Sequence, residues 1–380
     1  MSSAIRPFTI DVPQAALDDL GRRIAAARFP ERETVDDWTQ GIPLEIVRDF
    51  ADHWANGYDW RRCEAALNAY PQFLIELGGV DIHFLHIRSP HEQARPLLMT
   101  HGWPGSIREF LDVIEPLTRP EAHGGSAADA FHLVIPSLPG YGFSGKPGTA
   151  GWDIGRIAGH WDELMLALGY DRYFAQGGDW GAAVTSTIAM QDRGHCAAVH
   201  VNMVIARPDP ETLGSLTPAE RKSVAAFQHY EQNENGYAQI QRTKPQTLGF
   251  GLADSAVGQL AWILEKFNSW SDIGDTPFGR FDRDALLDNI SIYWLTNSGA
   301  SSARLYWHSF GHFELADVSL PFGATIFPNE IFRPSRRWAE KIYSNIIYWN
   351  EVDRGGHFAA FEVPDLFIAE VRACFCGRSL

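Results

Sequence analysis

Short apolar runs alternate with helical patterns through the first half of this 380-residue chain, and this alternation limits the folds open to it. The runs lie at 95–100, 131–136, 172–177 and 197–204, and turn residues or helical patterns separate them. From Ile154 to Leu168 apolar side chains recur at helical spacing, with Asp153 as the predicted N-cap and Gly169 as the stop. Strands and helices in alternation predict a mainly parallel central sheet flanked by helices on both faces.

The alternation stops near residue 207 and resumes near residue 321, with strand signals at 324–327 and 345–350. An all-helical insertion between two halves of one sheet is typical of a lid. The polar, helix-patterned start of the chain ends in two strand-like runs, 72–77 and 80–87, around a Gly-Gly turn. We therefore predict four segments: an N-terminal helical extension that wraps the core, the first half of the core, a helical lid, and the second half of the core (1–92, 93–206, 207–320 and 321–380).

Charge and cysteine content exclude several classes of protein. The chain has 32 Lys and Arg against 47 Asp and Glu, a formal charge of −15, and lacks the basic cluster that nucleic acid binding needs. Such a balance also disfavours an anionic membrane surface, and no apolar stretch approaches the roughly 18 residues of a spanning helix. Four cysteines without paired CxxC spacing predict neither a disulfide framework nor a zinc site. We expect a metal-free protein of the reducing cytoplasm.

The sequence Gly177-Gly178-Asp179-Trp180-Gly181 stands where a predicted strand meets a predicted helix. It has the form of a nucleophile elbow, G-x-Nuc-x-G, in which a sharp turn exposes one reactive side chain. A carboxylate that attacks a saturated carbon gives an ester, which water can cleave, whereas a serine alkoxide would give an ether. Asp179 therefore indicates an epoxide or an alkyl halide as substrate. The alternative is that Asp179 only caps the following helix.

A second loop, HGWPGS at 101–106, follows the strand at 95–100. Its composition allows backbone N–H groups to point inward, so the N–H groups of Trp103 and Trp180 are predicted to form an oxyanion hole. Because residue 104 is a proline, we expect the Trp103–Pro104 peptide bond to be cis. The alternative is an ordinary Gly/Pro turn between a strand and a helix.

A base and its acid partner are expected after the last strands. His357 follows the last strand, and a histidine suits the removal of a proton from water at neutral pH. The chain order of nucleophile, acid and histidine is that of α/β-hydrolases. Glu330, in the sequence FPNE at 327–330, is the predicted acid, with Asp317 and Asp353 as competitors.

An epoxide also needs a proton donor for its oxygen, and tyrosines of the lid can supply one. The residues alone do not choose among the lid tyrosines, which include Tyr230, Tyr237, Tyr293 and Tyr306.

Taken in order, these motifs resemble the microsomal-type epoxide hydrolases, a family that includes the juvenile hormone epoxide hydrolases. The resemblance runs over nearly the whole chain. It is carried by the N-terminal segment from Phe8 to Pro30 with Trp38, HGWPGS at 101–106, LPGYGFSGKP at 138–147, GGDWG at 177–181, GYAQIQRTKP at 236–245, YWLT at 293–296, FPNE at 327–330 and RGGHFAAFEVP at 354–364.

The resemblance implies an α/β-hydrolase fold, no cofactor, and Tyr237 and Tyr306 as the catalytic tyrosines. It also implies Asp179 as nucleophile, with Glu330 and His357 as acid and base. Mammalian members carry an N-terminal membrane anchor, which this sequence does not show at its start, so we expect a cytoplasmic protein. A homodimer is expected from the family alone.

The predicted reaction converts an epoxide and water to a vicinal diol through an aspartyl ester. Trp103, Trp180 and Tyr293 are predicted to line the substrate pocket, so the epoxide should be apolar or aromatic. Two alternatives remain open: a haloalkane dehalogenase-like hydrolase, and a non-catalytic receptor for a small ligand on the same fold. The biological role, in detoxification, catabolism or biosynthetic tailoring, is also open.

Overall fold

A computed structural model describes residues 4–312 and 314–378. Within these two ranges nine strands form one sheet in the order β1-β2-β3-β5-β4-β6-β7-β8-β9. The strands are β1 Arg6–Phe8, β2 Gln72–Leu77, β3 Val80–Ile87, β4 Arg95–Thr100, β5 Phe131–Pro136, β6 Tyr173–Gly177, β7 Cys196–Val201, β8 Phe322–Ile326 and β9 Ile346–Glu351.

The sheet has an antiparallel edge and a parallel body. Strands β1, β2, β3 and β5 pair antiparallel, whereas β5, β4, β6, β7, β8 and β9 pair parallel. The mainly parallel sheet predicted from the alternation is confirmed. Strands β1 to β3 precede residue 92, where we placed the end of the N-terminal extension, and they belong to the same sheet as the later strands. The sheet therefore continues across that boundary.

The described residues form fifteen α-helices around the sheet and above it. They are α1 Gln14–Ala25, α2 Leu44–Asn56, α3 Trp60–Asn68, α4 Leu111–Thr118, α5 Ile154–Ala167, α6 Asp179–Gln191, α7 Pro218–His229, α8 Gly236–Thr243, α9 Pro245–Asp254, α10 Ala256–Ser269, α11 Arg283–Leu295, α12 Gly299–Ser309, α13 Arg336–Ala339, α14 Ala359–Glu362 and α15 Pro364–Phe375. In the described part of the chain no helix is long and apolar enough to cross a membrane.

The strands bury both faces. In β5, Leu133 and Ile135 belong to one hydrophobic cluster and Val134, between them, belongs to another. This follows from the two-residue period of a strand, and it explains why the parallel strands read as continuous apolar runs. The cluster that holds Leu133 includes side chains of α4 and α15, and the other includes those of α5 and α6.

Most predicted boundaries agree with the structure to within two residues. Helix α5 begins where its cap predicts, because the Asp153 carboxylate accepts the N–H of Arg156 at 2.9 Å. The run at 197–204 is an exception, since β7 ends at Val201. Beyond it Asn202 leaves the sheet and its side chain comes to lie beside Gly178 at the elbow.

The helices of residues 207–320 lie between β7 and β8 in the chain and are bound to both other parts of the fold. Asp288, on α11, accepts hydrogen bonds from Tyr58 at 2.9 Å and from Arg62 at 2.7 Å in the N-terminal segment. Its second oxygen accepts one from Arg108, just after β4, at 3.0 Å. A single buried carboxylate thus joins three segments that are far apart in sequence.

Candidate active site

Asp179 stands at a strained turn between β6 and α6. Its φ is 49°, in the left-handed region that residues other than glycine seldom adopt. The turn depends on close backbone approach: a Cβ at Gly181 would overlap the carbonyl of Thr100. Gly178 is the N-cap of α6, and the Asp179 carboxylate accepts the N–H of Trp103 in the neighbouring loop. The geometry is that of an elbow and not of a cap.

One of the two predicted oxyanion-hole donors contacts this carboxylate. The N–H of Trp103 donates to Asp179 Oδ1 at 2.7 Å. The N–H of Trp180 lies in the first turn of α6, where backbone donors lack a carbonyl four residues earlier in the helix. The Trp103–Pro104 bond is cis, as expected.

His101 fixes the base of the HGWPGS loop. Its Nδ1 donates to the carbonyl of Gly102 at 3.0 Å and its Nε2 accepts the N–H of Leu138 at 3.2 Å. These two partners place the proton of the neutral imidazole on Nδ1. Burial keeps the ring neutral by lowering the pKa of His101 to about 4.

Helix α11 holds the same loop from the lid. Asn289 donates to the carbonyl of Pro104 at 2.8 Å, and Tyr293 donates to that of Gly105, also at 2.8 Å. Tyr293 is 1% exposed. Its hydroxyl therefore holds the loop, and its predicted part in lining the substrate pocket stays a prediction.

His357 lies between two carboxylates. Its Nδ1 is 2.6 Å from Glu330 Oε1, and its Nε2 is 3.3 Å from Asp179 Oδ2. Burial lowers the pKa of His357, but the carboxylates of Glu330 and Asp179 outweigh burial and raise that pKa well above its usual value. The competing acids, Asp317 and Asp353, are both exposed at the surface.

Sequence reasoning missed the residues that hold the His357 loop in place. The N–H of His357 donates to the carbonyl of Trp270 in the lid at 2.9 Å. Asp272 accepts the N–H of Gly355 at 3.0 Å, and its own N–H donates to Glu362 at 2.8 Å. Burial raises the pKa of Glu362 to about 7. Contacts of this kind engage backbone groups and leave no pattern in the sequence.

Tyr237 and Tyr306 face the elbow from the lid. The ring of Tyr237 stacks on Trp103 with centroids 4.9 Å apart, and Tyr306 meets Trp180 edge to face at 4.8 Å. The pKa of both phenols is raised well above its usual value, mainly by burial and in part by the charge of Asp179. Both hydroxyls therefore remain protonated and able to donate a hydrogen bond.

Two further side chains contact Tyr237. The hydroxyl of Tyr230 lies 3.0 Å from the hydroxyl of Tyr237. The ammonium of Lys266 lies 4.8 Å from the centroid of the Tyr237 ring and pairs with Glu265 at 2.5 Å. A cation over the ring face stabilises this arrangement. Tyr230 was among the candidate lid tyrosines, whereas nothing in the sequence marked Lys266.

The arrangement brings together the carboxylate of Asp179, the imidazole of His357 with the carboxylate of Glu330, and the phenols of two lid tyrosines. Within residues 4–312 and 314–378 no group of three or more His, Cys, Asp or Glu side chains is placed to hold a metal ion.

Comparison with known families gives two matches. The family described as "Epoxide hydrolase N terminus" matches residues 5–110, and the family described as "alpha/beta hydrolase fold" matches residues 95–276. Together they extend from the first strand into the lid.

Individual relatives match over nearly the whole chain. A protein named "Putative epoxide hydrolase" from Stigmatella aurantiaca is 52% identical over 98% of this chain and 84% of its own length. Epoxide hydrolase 1 of Sus scrofa is 34% identical over 97% of this chain and 88% of its own length. Among solved structures, the juvenile hormone epoxide hydrolase of Bombyx mori aligns with a TM-score of 0.90 and 31% identity, covering 98% of this chain and 94% of that chain. The epoxide hydrolase of Aspergillus niger aligns with a TM-score of 0.89 and 32% identity, covering 98% and 96%.

Proposed function

Since this chain belongs to the epoxide hydrolase family, we infer that it converts an epoxide to a vicinal diol with Asp179 as the attacking group. One observation carries the inference. Asp179 is bound on one oxygen by the N–H of Trp103 and faces His357 with the other, and two phenols lie on the lid side. The surrounding indole and phenol rings favour an apolar or aromatic epoxide.

In the first half-reaction the two phenols donate hydrogen bonds to the epoxide oxygen. Asp179 Oδ1 already accepts the N–H of Trp103, so Oδ2 is the oxygen that attacks. The new bond joins Oδ2 to a ring carbon, and the ring C–O bond breaks. The released oxygen takes a proton from Tyr237 or Tyr306. The product of this step is a hydroxyalkyl ester of Asp179.

In the second half-reaction water attacks the carboxyl carbon of this ester. His357 takes a proton from the water on Nε2, while Glu330 holds Nδ1 and stabilises the imidazolium. The negative charge develops on Oδ1, where the N–H groups of Trp103 and Trp180 can bind it. The ester C–O bond then breaks, and the imidazolium returns its proton to the leaving diol oxygen. The Asp179 carboxyl group, which keeps the second proton of the water, gives that proton to Nε2 of His357 and so restores the resting pair.

The first half-reaction prepares the base for the second. Before it, Asp179 is charged and helps to hold the proton of His357. Esterification removes that charge, so the pKa of His357 falls. Its proton passes to the tyrosinate that the first half-reaction leaves, and the neutral imidazole can then accept a proton from water. Only the carboxylate of Glu330 then opposes the effect of burial.

Replacing both phenols tests the proposed function. Each single variant, Tyr237→Phe or Tyr306→Phe, should slow ester formation on styrene oxide by on the order of 10²-fold, and the double variant by more, because general-acid help is lost. Stopped-flow kinetics and diol yield give the rates. A chloroalkane assayed in parallel separates the dehalogenase alternative, since a halide leaves without a phenol proton.

The matched control is Tyr170→Phe, which removes a hydroxyl bonded to His86 at 2.8 Å outside the proposed site and should leave the rates unchanged. Unaltered styrene oxide turnover in the Tyr237→Phe, Tyr306→Phe double variant would contradict the assignment.

A Glu330→Gln variant should move the pH dependence of ester hydrolysis toward lower pH. The base acts only when neutral, so the rate of ester hydrolysis rises as the pH passes upward through the pKa that His357 has in the ester, which burial lowers and the carboxylate of Glu330 raises. Without the charge of Glu330, burial dominates and lowers that pKa. The plateau rate should also fall, roughly 10-fold or more, because the ring loses its orientation. Single-turnover decay of the ester across a pH series measures both effects, and a rising limb at unchanged pH would refute this account of the pKa.

A further inference from the structure

Glu109 is a carboxyl group that the two half-reactions above do not use. It lies on the single helical turn Ile107–Phe110 that follows the HGWPGS loop. It lines a small cavity together with Gly102, Asp179 and His357, and this cavity has room for about one water-sized molecule. All of its lining residues come from the strand-and-helix core, whereas Tyr237 and Tyr306 belong to the lid. The cavity is therefore a candidate position for the second reactant, water.

Gly105 makes the placement of this carboxyl possible. A Cβ on residue 105 would overlap Oε1 of Glu109, so the side chain folds back over the loop into space that only glycine leaves free. Burial raises the pKa of Glu109 to about 8. The imidazole of His357 opposes this rise, and the charge of Asp179 adds to it. At neutral pH the group is mostly protonated, and its carbonyl oxygen can accept a hydrogen bond.

We propose that Glu109 positions the water that hydrolyses the Asp179 ester, an inference that rests on the proposed function. His357 alone gives this water one hydrogen bond, about which the molecule can rotate. A second hydrogen bond, from the other O–H to the carbonyl oxygen of Glu109, fixes the lone pair that must point at the carboxyl carbon of Asp179.

The step balances without a change in Glu109. The water forms the new C–O bond to the carboxyl carbon, and its proton goes to Nε2 of His357. The tetrahedral oxyanion then releases the diol oxygen, which takes the proton back. Glu109 keeps its own proton throughout. It is a water-positioning residue, and its effect belongs to the second half-reaction alone.

The test separates the two half-reactions in three variants. Rapid mixing with styrene oxide, acid quench and intact mass give the rate of ester formation and the rate of its decay. Glu109→Met keeps the length of the side chain and removes the acceptor. We expect ester formation within about 2-fold of the native rate and ester decay slower by about 10- to 100-fold, so that the ester accumulates in steady state. Glu109→Gln retains a carbonyl acceptor and should restore ester decay to within about 3-fold.

Glu115→Gln is the matched control, because Glu115 is exposed on α4 and does not line the cavity. Both rates should be native in this variant. Should Glu109→Met fail to fold, Glu109→Asp, which withdraws the same carboxyl group by one methylene, carries the test with the same expected accumulation of ester.

Two results would overturn the proposal: ester decay at the native rate in the Glu109→Met variant, or an equal loss in both half-reactions, which a merely structural role would produce. A failure of the proposed function looks different. In that case no ester forms in any variant, including one that lacks the base His357.

Discussion

An Asp179→Asn variant should lose epoxide turnover by on the order of 10⁴-fold or more, since an amide does not attack a saturated carbon. The rest of the site should survive the change. The amide oxygen of asparagine can still accept the N–H of Trp103, and the left-handed conformation of residue 179 is one that asparagine tolerates. Initial rates of diol formation measure the loss. Asp171→Asn, an exposed change outside the site, is the control and should have native rates.

Oxygen labelling separates a covalent role for Asp179 from an electrostatic one. In a single turnover in heavy-oxygen water, the native protein should give an unlabelled diol, because the added oxygen comes from the Asp179 carboxylate. The label should then be found in the peptide that contains Asp179. Direct attack of water would put the label in the first diol formed, and this outcome would exclude the ester. Any activity that returns in the Asp179→Asn variant should come with a mass gain of about one dalton, because deamidation converts the asparagine back to aspartate.

The sheet and the elbow could be predicted because their signals are local. The run at 95–100 is apolar from Pro96 to Met99 because both faces of β4 are buried, and Asp153 caps α5 through a neighbour only three residues away. Asp179 is marked by the glycines around it, which the backbone approach to Thr100 requires. Signals of this kind lie within a few residues of the feature that they predict.

The supports of the site could not be predicted, because they join distant segments. Tyr293 is 188 residues from Gly105, whose carbonyl accepts its hydroxyl. Asp272 and Glu362 act on backbone N–H groups of the His357 loop and the lid, and any residue can present such a group. The choice of Tyr237 and Tyr306 among the lid tyrosines came from the family resemblance. Composition could not make it, because every buried tyrosine looks alike in sequence.

A His357→Gln variant should stop after the first half-reaction and remain as the ester. Attack by Asp179 needs no base, and the phenols of Tyr237 and Tyr306 supply the proton, so ester formation should proceed. Hydrolysis loses its base and should slow by on the order of 10³-fold or more. Epoxide consumption should therefore end after one equivalent per protein molecule. Intact mass should show the protein plus one epoxide, and the peptide that contains Asp179 should carry the added mass.

The direction of a smaller effect in this variant also follows from the structure. In the resting protein the raised pKa of His357 places a positive charge 3.3 Å from Asp179 Oδ2, and that charge stabilises the carboxylate before it attacks. Glutamine removes the charge, so Asp179 becomes a stronger nucleophile but loses an ion pair that orients it. These effects oppose each other, and ester formation should change by less than about 10-fold while ester decay collapses. His123→Gln, at an exposed histidine, is the control. A His357→Gln variant that turns over steadily without accumulating an ester would show that the imidazole is not the base, whatever the fate of Asp179.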